Sequence, residues 1–253
     1  MSRANSDSAG QPWQGRHFEP NTSADDDGSA PEQLIEALRR FRSKELGEAE
    51  VVEAVRTSRL LVPLVAHLGE AGENEHGHVI DKTQELAIVT VLGPDGRRVL
   101  PVFTSVDTMR AWNPKARPVP AQGVRIATAA LIEQTDLVVL DPTSATEFAI
   151  RRPALAAIAG AEPWAPSYLD EAVLDAVAAA ATGEDAVRSV VLTAGDEDAR
   201  LAGPELVVGL ALAPGLDRAA LDALVARLQE RWSASELLAQ RVDSMKVRLL
   251  PSA

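Results

Sequence analysis

The chain of 253 residues contains no cysteine. Disulfides, thiolate zinc sites, iron–sulfur clusters and a cysteine nucleophile are thereby excluded, and the interior must hold the fold without covalent staples. Aromatic residues make up only 4%, and four lysines stand against 21 arginines. Positive charge is in deficit. With a net charge of −12 and a pI near 4.8, the surface lacks the field that a phosphate backbone requires, so no nucleic-acid partner is expected. No apolar run approaches the roughly 20 residues that span a bilayer, and the first residues lack the basic start and hydrophobic block of a signal peptide. A cytoplasmic protein without a membrane partner is expected. The phosphate loop G-x-x-x-x-G-K-[ST], the dinucleotide fingerprint G-x-G-x-x-G and the nucleophile elbow G-x-S-x-G are also missing. An NTPase, a dinucleotide enzyme and a resident cofactor are therefore not expected, and no catalytic residues can be assigned.

What is present is 46% apolar and 25% charged sequence, enough to bury a substantial core in two domains. Residues 1 to 30, rich in Ser, Gly, Asp and Asn, have no helical or strand period and read as a disordered arm. Trp13 and Phe18 within it are either docking anchors or exposed aromatics. Ser29-Ala30-Pro31-Glu32 has the capping-box form and opens a helix over 31–43. The basic residues Arg39, Arg40, Arg42 and Lys44 at its end complement the helix dipole. Gly47 separates it from a second helix with Val51, Val52 and Val55 inward, and "RLLVPLVAHL" reads as a buried strand.

The clearest pattern is "TQELAIVTVLGPDGRRVLPVFTS". Two apolar runs, Leu86 to Leu92 and Val99 to Phe103, flank the turn Gly93-Pro94-Asp95-Gly96 and predict an antiparallel hairpin. Thr104 and Ser105 then cap the helix "VDTMRAWN", with Asp107 as capping-box partner to Thr104. Satisfying orphan helix N–H groups explains both residues; a helix start also suits a carboxylate or phosphate ligand. A helix over 123–134, the strand "DLVVLDP", a short strand at 148–150 and the helix "RRPALAAIAG" complete the larger domain. Asp141, at the end of its strand, lies where ligand sites in open α/β sheets gather, although turn chemistry explains Asp-Pro as well.

"AEPWAPS" marks a linker over 161–166. Beyond it, residues 167–253 read as a smaller αββαβ domain: a helix over 168–181, strands at 187–193 and 205–212, a helix opened by Asp217, and a last strand alternating Met245, Val247 and Leu249 against Lys246 and Arg248. His67, His76 and His78 stand among Glu70, Glu73, Glu75 and Asp81, either a solvated acidic loop or a divalent-metal set. The reading that best fits the whole assigns no metal.

"LPVFTSVDTMRAW", with "LLVPLVA" before it and "LVVLDP…FAIRRPAL" after it, resembles the N-terminal domain of the SseB family, named for enhanced serine sensitivity. The arm and "DKTQELAIVTVLGPDGRRVLPVFTS" resemble its actinobacterial branch, and residues 167–253 are similar only in layout to the family's C-terminal domain. The resemblance implies a bacterial protein with that domain over 31–160, and no catalytic residues. It marks Phe103, Thr104, Ser105, Trp112 and Asp141 as positions of recognition, the candidates for contact with a ligand or partner.

The fold class expected is α+β, in two domains, each a mixed or antiparallel sheet packed with helices. The function expected is that of a cytoplasmic, non-catalytic factor that binds a protein partner. The alternative is a sensor of an amino acid or small anion near Thr104, Ser105 and Asp141.

Overall fold

The computed structural model describes residues 26–67, 85–93 and 96–251. The arm with Trp13 and Phe18 and the loop with His76 and His78 lie outside those residues. Two helices come first, α1 (Glu32–Arg42) and α2 (Glu48–Thr57). Leu34, Leu38 and Phe41 recur at helical spacing on α1 and are buried, as are Val51, Val52 and Val55 on α2. The start of α1 departs from expectation. Pro31, with its preset φ of −61°, occupies the N-cap, and no side chain caps the helix. Ser29 serves elsewhere, its carbonyl accepting from Arg59 Nη2 at 2.7 Å.

Strands β1 (Arg59–His67), β2 (Glu85–Ile88) and β5 (Arg117–Gln122) form an antiparallel sheet in the order β2-β1-β5. The mixed four-stranded sheet runs β3-β4-β6-β7, from β3 (Val91–Leu92), β4 (Arg98–Val102), β6 (Leu137–Leu140) and β7 (Phe148–Ile150). The hairpin therefore forms only at its tip. Of the first apolar run, residues 85–88 pair with β1 and only Val91–Leu92 pair with β4, so one run serves two sheets. Strand β5 was not legible, because its sequence Arg-Pro-Val-Pro-Ala-Gln carries two prolines. As an edge strand it has an outward row of N–H positions that need no partner in the sheet, which is where proline is tolerated.

Between the strands lie α3 (Val106–Trp112), α4 (Gly123–Ile132) and α5 (Arg152–Gly160). Leu100, Val102, Val138, Leu140, Phe148 and Ile150 point from the four-stranded sheet into the main core, against α1, α2, α4 and α5. Phe41 meets Phe148 edge-on at 5.2 Å between centroids. At Gly123 a Cβ would stand 2.0 Å from the carbonyl oxygen of Val55. Only glycine lets α4 start this close to the end of α2.

The C-terminal part comprises α6 (Glu171–Ala179), β8 (Val187–Ala194), β9 (Leu206–Leu212), α7 (Arg218–Ser233), α8 (Glu236–Arg241) and β10 (Met245–Leu250). Its sheet runs β10-β9-β8, antiparallel between β8 and β9 and parallel between β9 and β10. Val173, Val177, Leu206, Val208, Leu210, Leu224, Leu228 and Trp232 make a second, separate core. Asp217 caps α7 as expected, accepting from Ala220 N at 2.8 Å. The short α8 is an addition to the expected order. The architecture is α+β.

Polar contacts join the two parts. Arg151, 5% exposed, donates to Asp196 at 2.7 Å, to Asp243 at 2.9 Å and to the carbonyl of Gly203 at 3.0 Å. Arg97 reaches Asp243 as well, at 2.8 Å. Arg42 and Lys44, read from sequence as dipole partners of α1, extend to Asp198 and its neighbours instead. Ala149 N donates to the carbonyl of Ala199 at 2.7 Å, so the loop after β8 lies along the free edge of β7.

Candidate functional site

Strands β4 and β6 are parallel neighbours, with Val102 beside Leu140. The segments that leave their carboxyl ends, Phe103-Thr104-Ser105 and Asp141-Pro142-Thr143, therefore come together, although 37 residues separate Thr104 from Asp141. Asp141 is fully buried. One carboxylate oxygen accepts from Thr104 N at 2.8 Å, and the other from the hydroxyls of Thr104 at 2.7 Å and Thr146 at 2.8 Å. Its φ of 45° and the 66° of Thr143 turn the chain sharply after β6.

The cap of α3 differs from the expected one by one residue. Ser105 is the N-cap, accepting from Thr108 N at 3.1 Å, and Thr108 closes the box from N3. Thr104 is consumed by Asp141, and Asp107 takes no part in the box. Phe103 is fully buried and pairs with β1, exchanging backbone hydrogen bonds of 2.8 and 2.9 Å with Leu61, which ties the two sheets together. Trp112 stacks at a tilt on Phe103, 5.3 Å between centroids. All five positions marked in the sequence thus belong to one locality, with Thr104 and Asp141 inside it and Trp112 at its surface.

Residues 33–157 match the SseB protein N-terminal domain family. The match runs from within α1 to within α5 and takes in both sheets of the larger part. No curated protein and no solved structure matches the chain. Within the SseB-like region, the surface next to Trp112 is the notable feature. Val99, Leu137, Val139 and Ala149 alternate with the core-facing residues and point to the other face of the four-stranded sheet. Among the described residues, the hydrophobic side chains packed on that face are Val91 and Leu201, neither of them from a helix. Leu201 from the loop after β8 packs against part of it, and the remainder is a groove of about 340 Å³.

The groove floor is Val99, Pro101 and Val139, and its walls are Trp112 and Pro142 on one side and Arg200 and Leu201 on another. Leu92 on the edge strand β3 borders it and is 74% exposed. Its two charged groups are engaged: Arg200 donates to the carbonyls of Ser144 and Ala145, and Glu147 accepts from Thr143 N at 2.5 Å. The surface offered is apolar and aromatic. Sequence reasoning found Trp112 and the Asp141 turn but missed Arg200 and Leu201. The only local signal there was "GDEDARLAG", which reads as an ordinary polar loop.

That loop is held by Asp196, whose carboxylate accepts from the backbone N–H groups of Arg200, Leu201 and Ala202 and from Arg151. Ala199 and Leu201 sit at φ of 48° and 58°, a strained region for side-chain-bearing residues. A buried carboxylate clamped on one arginine therefore supports the groove wall. Among the described residues, no group of His, Cys, Asp and Glu is arranged to hold a metal ion, and no helix is long and apolar enough to cross a membrane.

Proposed function

We propose that this chain is a bacterial, cytoplasmic SseB-family protein that works without catalysis, as an accessory or regulatory factor binding an extended apolar segment of another protein. The carrying observation is the apolar groove beside Trp112, narrow enough that its floor residues Val99 and Val139 are only 3% and 6% exposed, with Leu92 at its border 74% exposed. A sheet face of Val, Pro and Ala walled by an indole and flanked by an exposed leucine suits apolar side chains better than water, and aromatic anchors dominate such contacts. Thr104, Ser105, Phe103 and Asp141 serve this reading as positioning residues, since they fix the ends of β4 and β6 and hold Trp112 against the groove.

The test is affinity capture from native lysate with full-length protein, Trp112→Ala, Leu201→Ser and the remote control Ile132→Ala. A stoichiometric partner retained by the control and lost by both groove variants is expected. A partner that binds all four equally, or the absence of any partner, overturns the reading. A thermal-shift screen of amino acids and inorganic anions separates the alternative. Stabilisation that disappears in Ser105→Ala would transfer the function to a sensor at the start of α3.

A further inference from the structure

Among the described residues, strand β10 lies at the edge of the C-terminal sheet and pairs with β9 alone. Its side chains alternate between the two faces, with Leu250 following Lys246 and Arg248 on the outer one. Met245 and Val247 pack into the C-terminal core, while Lys246 and Arg248 point to the opposite face, beside Val207 and Gly209 of β9. Both cations are exposed, and among the described residues neither makes an ion pair or a side-chain hydrogen bond. Arg42, Arg97 and Arg151 around the seam do, so Lys246 and Arg248 leave two adjacent positive charges on one strand of a chain of net charge −12. Val191 of β8 lies on that same outer face at 45% exposure, and Leu249 on the other face is 47% exposed.

An edge strand presents a row of backbone N–H and C=O groups to solvent and invites a further strand. Charge pattern decides which strand it accepts. A second copy of β10 would set cations against cations, and like charges directly opposite one another destabilise a strand pair. A strand with carboxylates at every second position would instead place them against Lys246 and Arg248, which lie about 7 Å apart along the strand, and would lay its alternate apolar side chains over Leu249. We propose that β10 is the docking edge for an extended acidic segment of a partner protein, added as a fourth strand with carboxylates opposite Lys246 and Arg248. This site is separate from the apolar groove, and the two can fail independently.

The probe is a fluorescein-labelled octapeptide of alternating Glu and Leu. It is titrated against the full chain by anisotropy at 150 mM salt, where charges more than about 8 Å away are screened and the acidic remainder of the surface counts little. Binding is expected to weaken at least tenfold in Lys246→Glu/Arg248→Glu, and that variant is expected to prefer the alternating Lys-Leu peptide. The variant Arg218→Glu, on a side chain 88% exposed on α7, should bind as the unaltered protein does. Hydrogen exchange on adding the Glu-Leu peptide should slow at residues 246–250. Unchanged affinity in the double variant, equal affinity for a block Glu-Leu peptide of the same composition, or protection confined to other strands would each overturn the proposal.

Discussion

At the scale of single residues, Asp141 bears more of the site than any side chain that could touch a partner. A carboxylate only accepts hydrogen bonds, and the three groups aimed at it, Thr104 N and the hydroxyls of Thr104 and Thr146, all donate. Removing it strands buried donors, whereas the left-handed backbone at 45° would itself accept asparagine. Asp141→Ala is expected to lower unfolding stability by about 3 kcal/mol, and Thr104→Val by about 1.5 kcal/mol, since one charge-assisted bond contributes roughly 1.5–3 kcal/mol. Urea denaturation checks both. A loss below about 1 kcal/mol for Asp141→Ala would show that the carboxylate holds no more than a solvated turn. Conversely, Ser105→Ala should cost about 1 kcal/mol, the ordinary value of an N-cap. The sequence made Thr104 and Ser105 look alike, and only their partners separate them.

At the scale of elements, local pattern and long-range pairing differed sharply in legibility. Helices α1, α2 and α7 and strands β1, β6 and β9 follow from apolar spacing, because 3.6- and 2-residue periods report which face is buried. Spacing does not say against what. The run from residue 86 to 92 has strand character throughout, yet its two ends belong to different sheets. The prolines of β5 concealed a real edge strand, and Arg151 read as a helix start although its partners lie 45 and 92 residues away. The site was legible to the same extent: Thr104 and Asp141 could be placed at strand ends, but their meeting depends on β4 and β6 being parallel neighbours.

The first turn of α2 carries a titrating contact with the C-terminal part. Tyr168 donates its hydroxyl to Glu48 Oε1 at 3.2 Å. Burial pushes the Glu48 carboxyl up to about 7, with the tyrosine hydrogen bond only partly opposing it and the negative charge of Glu205 adding to it. Glu205 is itself raised, first by burial. The folded state therefore holds these protons more tightly than the unfolded chain does. The resulting stability is complete below the unfolded carboxyl value near 4.5 and is lost as pH rises toward 7. Glu48→Gln keeps a neutral partner for Tyr168 at every pH. It is expected to flatten the fall in stability between pH 5 and 7.5, by no more than about 3 kcal/mol. Melting temperatures of both proteins across that range measure the effect, and parallel curves would exclude Glu48 as its source.

At the scale of the whole molecule, the apolar groove belongs to neither part alone. Its floor is in the SseB-like region, whereas Arg200 and Leu201 arrive from the loop after β8. That loop is fixed through Asp196 to Arg151, which does not line the groove. Two acidic groups, Asp196 at 3% and Asp243 at 6% side-chain exposure, are bridged by this guanidinium, and Arg97 pairs with Asp243 as well. Removing one partner of such a buried cluster typically costs about 3–5 kcal/mol, because the remaining charges stay desolvated. Arg151→Ala should therefore loosen the seam before it unfolds either core, since the two hydrophobic clusters share no buried residue. The expected signature is faster hydrogen exchange at residues 196–203, with α4 and α7 still protected, together with loss of any partner that Leu201→Ser also loses. Arg151→Lys restores the charge but not the fork that reaches Asp196 and Asp243 at once, so it should recover only part of both effects. If Arg151→Ala frees the loop and leaves partner capture intact, the groove wall is dispensable, and binding must rest on Trp112 and the strand floor alone.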